Sequence, residues 1–242
     1  MSTERLAIRV AGLELQIVRK DIKNLHLGVY PPNGRVRVAA PLGVSNDAVR
    51  LAVVGKLGWI KKQQARFASQ AREAEREMVS GESHYFLGRR YRLRVVERAG
   101  RAGVALKNRT TLELRVPGSY PTKRREQVLE RWYRQRLREL IPPLAAKWEP
   151  ALGVRVAAFG IRRMKTKWGA CSIDRRHVWL NLELVKKPLR CLEYVAVHEL
   201  THLLERHHTD RFIRIMDQHM PRWRAYRDEL NSTPLAHESW TY

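Results

Sequence analysis

One short segment, residues 198–208, constrains this chain more than any other feature. It reads HELTHLLERHH, so His198 and His202 are four residues apart and Glu199 follows the first histidine. On an α-helix each residue advances by roughly 100°, which places the two imidazoles about 40° apart on one face, where both can bind one metal ion. The segment therefore predicts a helix whose histidine face holds a metal.

The neighbouring residues predict the rest of a catalytic metal site. Glu199 lies off the histidine line, where it can reach a water on the metal without becoming a ligand, as a general base must. Catalytic Zn²⁺ usually has three protein ligands and an open position. We expect His208 to be the third ligand, brought back over the metal because His207 takes a left-handed conformation that ends the helix. Glu205 and His207 remain alternative ligands, since spacing alone does not exclude them.

The alternative interpretation is an exposed helix that happens to contain histidines and glutamates. The preceding apolar run, Tyr194 to Val197, indicates instead that the segment is buried. Buried imidazole and carboxylate groups need partners, and a metal ion supplies them. After the last histidine, Thr209 is expected to cap the next helix.

The charge of the chain is extreme and favours a polyanionic partner. Lysine and arginine number 47 against 24 acidic residues, a formal net charge of +23. The alternation in Arg89 to Arg94 looks like a solvated strand face. By contrast, Lys123 to Arg125 and a run of arginines after it concentrate charge around one helix, where a face that follows a phosphate backbone can form: Arg131, Arg134, Arg136 and Arg138. The sequence thus predicts DNA or RNA binding without sequence preference, with distributed surface charge as the alternative.

Composition and the chain start indicate the expected compartment. With 242 residues and 44% hydrophobic residues, the chain can form one large domain or two small ones. Two cysteines, Cys171 and Cys191, provide no disulfide framework and fit a reducing compartment. Residues 1–5 do not resemble a signal peptide, and no apolar stretch approaches about 18 residues. We therefore expect a cytoplasmic protein without a membrane span; its oligomeric state is left open.

Hydrophobic periodicity predicts an α+β fold in two parts. Residues 1–118 read as a β-rich region with one helix after Pro41, whose continuation through a polar stretch towards Met78 is left open. Residues 119–242 read as a long helix with a kink or restart at Pro142-Pro143, then short strands, the helix with the HExxH motif and two further helices.

A hairpin is predicted just before the histidine segment, from Trp168 to Asn181. An edge strand beside a catalytic helix can pair with an extended peptide and recognise its backbone. The alternative is that Trp168 and Gly169 only pack the core against that helix. A thiolate at Cys171 could also bind the metal and keep the protein latent, although small buried cysteines are commoner.

Several segments together resemble the YgjP-like metallopeptidases over most of the chain. They are Gly34 to Val38 with Ala40-Pro41, Trp59-Ile60, Tyr85 to Tyr91, and Met164 to Ser172, continued by Asn181, Tyr194, Val197 and the HExxH segment. Ala170 stands where a serine is more usual. The resemblance implies a zincin-like fold related to SprT-type proteases, with His198, His202 and His208 as zinc ligands and Glu199 as the catalytic glutamate.

Three functions are compatible with these patterns. The first is a zinc metallopeptidase in which Glu199 deprotonates a zinc-bound water that attacks a peptide bond; the basic charge suggests nucleic-acid-associated proteins as substrates. The second is a zinc-dependent nucleotide phosphohydrolase, a nucleoside triphosphate pyrophosphatase, whose basic residues neutralise polyphosphate; the chain has no Walker-type loop to support it. The third is a nucleic-acid-binding module with a vestigial metal site.

Overall fold

The computed structural model describes residues 5–30, 34–69, 76–164 and 167–232. Helices and strands both contribute to it, so the predicted α+β class is confirmed. The chain divides into two compact units, which comprise residues 5–69 and 76–232 of the described chain. Each unit has its own hydrophobic core.

The first unit contains one sheet and two helices. Its strands are β1 (Arg5–Val10), β2 (Leu13–Lys20), β3 (His26–Tyr30) and β4 (Arg35–Pro41), in the order β1-β2-β4-β3. The helices are α1 (Asn46–Val54) and α2 (Leu57–Ser69). Ser45 caps α1, because its hydroxyl accepts a hydrogen bond from the backbone N–H of Ala48. The sequence predicted one helix from this cap towards Met78. The structure has two helices instead, because α1 ends at Gly55 and α2 begins at Leu57. The expected continuation over residues 70–75 lies outside the described residues.

The second unit begins with a four-stranded sheet. Its strands are β5 (Ser83–Phe86), β6 (Arg89–Glu97), β7 (Gly103–Leu106) and β8 (Thr111–Val116), in the order β5-β6-β8-β7. Alternate residues on β6 and β8 are apolar and buried, among them Leu93, Leu112 and Leu114. These side chains share one core with residues of the following helix. The expected boundary between residues 118 and 119 therefore does not coincide with the division between the compact units.

The long helix α3 (Thr122–Leu152) packs on this sheet. It contains Pro142, Pro143 and Pro150 without ending at any of them, so the predicted kink or restart does not divide the element. Buried residues on both sides of the proline pair, including Leu137 and Trp148, anchor both halves of the helix in the core. The helix ends where Gly153 takes a left-handed conformation with φ of 65°.

A three-stranded sheet and three helices complete the second unit. The strands are β9 (Ala158–Arg162), β10 (Gly169–Ser172) and β11 (His177–Asn181), in the order β10-β11-β9, and β10 and β11 form the predicted antiparallel hairpin. A 3-10 turn over Leu182–Lys186 leads into α4 (Leu189–Thr201), followed by α5 (Asp210–His219) and α6 (Trp223–Ser232). Helix α4 packs against β10 and β11. None of the described helices is both long and apolar enough to cross a membrane.

Candidate metal centre

Helix α4 carries the first histidine and the glutamate of the HExxH segment. Its apolar side chains, such as Leu192 and Leu200, are fully buried, and this burial fixes the rotation of the helix. His198 and Glu199 lie in its last turn. His202 follows the helix, but its φ of −63° and ψ of −17° are still helical, so the i,i+4 relation to His198 is kept. The two imidazole centroids are 4.9 Å apart.

The chain then turns so that the imidazole of His208 lies beside those of His198 and His202. Backbone N–H groups of Leu204 and Glu205 both donate to the carbonyl of Thr201, at 2.9 and 3.0 Å, and close the turn. The prediction that His207 takes a left-handed conformation is wrong: the described non-glycine residues with positive φ are elsewhere in the chain, at Ala11, Met78, Leu87 and Arg176. The turn needs no such residue, because the hydrogen bonds to Thr201 form with ordinary backbone angles.

Thr209 ends this turn and begins the next helix. Its hydroxyl accepts a hydrogen bond from the backbone N–H of Phe212 at 3.4 Å, so the predicted cap of α5 is confirmed. The Phe212 ring packs against all three imidazoles, with centroid distances of 5.0 Å to His198, 4.9 Å to His202 and 4.7 Å to His208. The cap therefore helps to position the Phe212 ring against the three imidazoles.

The three histidines form one cluster of potential ligand atoms. One nitrogen of each of His198, His202 and His208 lies within 4.8 Å of the others. The Nδ1 atom of His202 is 3.2 Å from the carbonyl oxygen of Glu205, a distance at which Nδ1–H donates and leaves the Nε2 lone pair available. Neither Glu205 nor His207 belongs to the cluster. The backbone N–H of His207 instead donates to the Glu205 carboxylate.

The chemistry of this donor set fits a divalent metal ion. Burial, with the neighbouring imidazoles, lowers the pKa of His198 to about 3, which keeps the ring neutral and able to donate a lone pair. The Nε2 atoms of His198 and His208 are 3.0 Å apart. Two nitrogens bound to one tetrahedral Zn²⁺ are separated by about 3.3 Å, given Zn–N bonds of about 2.0–2.1 Å. Neutral imidazoles also suit zinc by ligand type.

Glu199 is buried beside the cluster and faces Gly169 of β10. Its exposed fraction is 6%, and a Cβ atom on Gly169 would be only 2.5 Å from Oε1 of the carboxylate. Burial raises the pKa of Glu199 to about 7, and the positive charge of Lys167 partly opposes this rise. The sequence left two interpretations of this strand open: pairing with a substrate peptide, or packing against the helix. Close packing of Gly169 against the helix is observed.

An open cavity of about 960 Å³ joins these groups to solvent. It is lined by α4, by the turn that carries the histidines and by the whole of β10. Three basic residues, Lys167, Arg206 and Arg227, also contribute to its wall. The cavity therefore brings a candidate metal centre, a carboxylate and an edge strand into one space.

Tyr194 is a cavity residue for which the sequence predicted no role. It lies one helical turn before His198, and its ring is 5.8 Å from that imidazole and 6.3 Å from Trp223, on which it stacks. Burial raises its pKa to about 12, so the hydroxyl keeps its proton at neutral pH. The signal was available, since residues 194, 198 and 202 follow one another at intervals of four on one helix face.

Cys171 lines the cavity but does not belong to the histidine cluster. Burial and the negative charge of Glu199 raise the pKa of its thiol to about 11. The thiol is therefore protonated at neutral pH in this environment. The thiolate ligand considered from the sequence finds no support in this arrangement.

An α+β protein in which three imidazoles and a buried glutamate meet at a cavity has the features of a metal-dependent hydrolase. The family model described as YgjP-like, metallopeptidase domain, matches residues 23–233, and the chain belongs to this family. Among solved structures, a crystal structure of the metallopeptidase zymogen of Pyrococcus abyssi abylysin is similar, with 20% sequence identity and a TM-score of 0.35 over 38% of this chain and 97% of that chain. A comparison with curated protein sequences finds no match.

Proposed function

We propose that this protein is a zinc-dependent peptidase that hydrolyses peptide bonds in polypeptide substrates. The carrying observation is the convergence of three imidazoles with the buried carboxyl group of Glu199 at one cavity. In this proposal His198, His202 and His208 hold the ion. Bound Zn²⁺ supplies a Lewis acid that lowers the pKa of water and polarises a carbonyl group.

Glu199 is assigned the role of general base. Glu199 directly follows His198 in the sequence but does not belong to the histidine cluster. The residue lines the cavity where substrate would enter. An ionised Oε atom accepts the proton of the attacking water and then delivers it to the nitrogen of the departing amine. Gly169 holds the carboxyl group from the other side, so the backbone of β10 orients the base.

Tyr194 is assigned the stabilisation of developing negative charge. Its hydroxyl is protonated at neutral pH, and the residue lines the cavity on the same helix face as His198. A hydrogen bond from this hydroxyl to the substrate carbonyl oxygen strengthens as that oxygen becomes negative. The residue would therefore contribute to the rate more than to binding.

Strand β10 provides a docking element for an extended peptide. Within the described sheet it pairs with β11 alone, and its residues line the cavity. A substrate segment can add to such an edge as a further strand, through backbone hydrogen bonds that depend little on side chains. This supports a polypeptide substrate with broad sequence tolerance. The suggested link to nucleic-acid-associated proteins rests on charge and is not required by this mode of binding.

A nucleotide phosphohydrolase is the second candidate, and one feature favours it. The basic residues of the cavity wall, Lys167, Arg206 and Arg227, outnumber its acidic residues, Asp174 and Glu199. Such an excess of cations suits an anionic substrate such as a polyphosphate. The third possibility, a nucleic-acid-binding module with a vestigial metal site, predicts binding that survives removal of zinc and no hydrolysis.

One experiment separates these functions. The zinc-loaded full-length protein is incubated with a reduced, alkylated unfolded protein, with a DNA-bound protein, and with nucleoside triphosphates, each beside a Glu199→Gln protein of equal zinc content. We expect new peptide N-termini from the unfolded protein, produced by the wild type alone. Release of pyrophosphate or phosphate without peptide cleavage would establish the second candidate instead.

A further inference from the structure

The sheet formed by β5 to β8 has one apolar face and one strongly basic face. Alternate residues of β6 are buried in the core, and the intervening residues Arg90, Arg92 and Arg94 are exposed on the other side. Arg115 on β8 and Lys107 just after β7 are exposed on this same side. We call these five residues the basic face; they are Arg90, Arg92, Arg94, Lys107 and Arg115.

The strand geometry arranges these charges regularly. Residues two apart on one strand are separated by roughly 6.6 Å, so Arg90, Arg92 and Arg94 form a row along β6. Arg115 lies on the adjacent strand, at the position next to Val96, and extends this row. A row of guanidinium groups on a sheet matches a linear polyanion better than a single small anion.

Most of the positive charge on this face is not neutralised by the protein. An acidic residue, Glu113, lies on the same side of the sheet and is 5% exposed. Its carboxylate accepts a hydrogen bond from Arg115 at 2.7 Å and forms an ion pair with Lys107 at 3.5 Å. The side chains of Arg90 and Arg94 form no hydrogen bond or ion pair with any residue that the structure describes. Arg92 makes one long contact, 3.5 Å, to the carbonyl of Gly81.

Several arginines of α3 differ in this respect. Arg125 forms an ion pair with Glu97 of β6 at 2.6 Å. Two further ion pairs lie within the helix: Arg134 with Glu130 and Arg136 with Glu139, both at 2.9 Å. Arg134 also donates to the carbonyl of Ile161. Several cations of the helix that the sequence singled out for phosphate binding are thus engaged within the protein.

An exposed aromatic residue accompanies the basic face. Tyr85 of β5 is 39% exposed and lies directly opposite Arg90 in the register of the two strands. Its backbone carbonyl accepts a hydrogen bond from the Tyr133 hydroxyl at 2.8 Å, which ties this strand position to α3. Surfaces that bind single-stranded nucleic acid combine cations for the phosphates with aromatic rings on which bases stack.

We propose that the basic face binds single-stranded nucleic acid, with phosphates on Arg90, Arg92 and Arg94 and a base stacked on Tyr85. Guanidinium groups suit phosphate because they can form two parallel hydrogen bonds to its oxygens. A single strand is favoured over a duplex because its bases are free to stack on an aromatic ring, whereas the bases of a duplex are already stacked on one another. An acidic polypeptide would match the charge but would leave Tyr85 without a role.

The test measures fluorescence anisotropy of a labelled oligothymidylate with the full-length, zinc-loaded protein over a range of salt concentrations. The face variant carries Arg90→Gln, Arg92→Gln and Arg94→Gln, and the matched control loses the same charge from exposed positions of α3, through Arg124→Gln, Arg131→Gln and Arg138→Gln. We expect the face variant to bind at least about 10-fold more weakly and the slope of log K against log salt to fall by about 2, at about 0.7 for each lost phosphate contact. The control should change far less.

Two further variants keep the test decisive. Tyr85→Ala should weaken binding about 10-fold with the salt slope unchanged, because it removes stacking but no charge. Glu199→Gln should bind like the wild type, so the result does not depend on the proposed peptidase activity. Equal weakening by the control, tighter binding of duplex DNA or polyglutamate than of the oligothymidylate, or no binding at low salt would each overturn the proposal.

Discussion

Gly169 on β10 lies directly against the carboxyl group of Glu199 on α4. A Cβ atom at Gly169 would be 2.5 Å from Oε1 and 2.6 Å from Cγ of Glu199, closer than any side chain allows. Only a glycine lets the strand approach the helix to this distance. The position of the proposed base is therefore set by the packing of a sheet edge on a helix, in addition to its place in the HExxH segment.

Gly169→Ala should impair hydrolysis without removing the metal. The added methyl group must displace the Glu199 carboxyl, and a displacement of about 1 Å can lower a catalytic rate about 100-fold. Zinc content should stay at the wild-type level, because the three histidines are not involved. Steady-state peptidase kinetics and metal analysis measure both effects. Gly103→Ala is the matched control, since a Cβ atom there meets nothing within 4 Å. Full activity of the Gly169 variant would show that the contact does not position the base.

Glu199→Gln should remove activity and keep both zinc and fold. The amide preserves the size of the buried side chain but cannot accept the proton, and loss of a general base lowers a rate by about 100- to 10,000-fold. His202→Ala should also be inactive, but through loss of zinc, with a lower melting temperature because buried polar groups lose their partner. Calorimetry on both proteins distinguishes the two causes. Hydrolysis by the Glu199→Gln protein at the wild-type rate would exclude Glu199 as the general base.

His208→Ala should lower the affinity for zinc by more than about 100-fold. Loss of residues that only support ligands already weakens metal binding by about 10- to 100-fold, and a direct ligand contributes more. His207→Ala serves as the control, because the neighbouring imidazole is exposed and outside the cluster. Competition against a chromogenic chelator gives both affinities. Equal affinity of the two variants would mean that the third ligand is another residue.

Tyr194→Phe should lower kcat about 100-fold and leave KM nearly unchanged. The phenylalanine ring keeps the stacking on Trp223 but has no hydroxyl to donate to the carbonyl oxygen. Zinc content and melting temperature should be close to those of the wild type. A rise in KM at constant kcat would instead assign Tyr194 to substrate binding.

Stability should fall on acidification partly because of His84, which is distant in sequence from the metal centre. Burial and the positive charges of Arg76 and Lys186 lower the pKa of His84 in the folded protein, although Glu82, at 3.2 Å, opposes them. Because the unfolded chain binds this proton more readily, the contribution of His84 to the free energy of unfolding is largest above about pH 6.5 and falls as the pH decreases through the range below it.

His84→Gln removes this titration. The difference in free energy of unfolding between variant and wild type should shift in favour of the variant as the pH is lowered from about 7 to 5. Urea denaturation at several pH values measures it. A difference that is independent of pH would show that His84 has the same pKa in both states.

The sequence predicted the features that depend on neighbouring residues. The α+β class, the β10–β11 hairpin and the Thr209 cap follow from local periodicity and capping chemistry, and all three are observed. The conformation of His207 was predicted wrongly, because a turn closed by hydrogen bonds to Thr201 cannot be distinguished from a left-handed one by residue type.

Features that depend on distant residues were not predictable in the same way. Gly169 and Glu199 come together only through the packing of β10 on α4, and nothing in either segment alone specifies that contact. The continuous α3 is a similar case, because core contacts on both sides of Pro142 decide its path. In each case tertiary packing determines a detail that local propensity leaves open.

The histidine cluster and the proposed base differ in how they depend on cooperative folding. All three imidazoles come from residues 198–208, so a short stretch of chain can gather them. The orientation of Glu199 requires β10, which is remote in sequence and lies at a sheet edge. On the proposed function, local opening of that edge would abolish turnover without releasing the ion that the histidines hold. Zinc stoichiometry is therefore a poor measure of the native fraction in a preparation, and a partly opened population would be recognised by hydrogen exchange at β10 rather than by metal analysis.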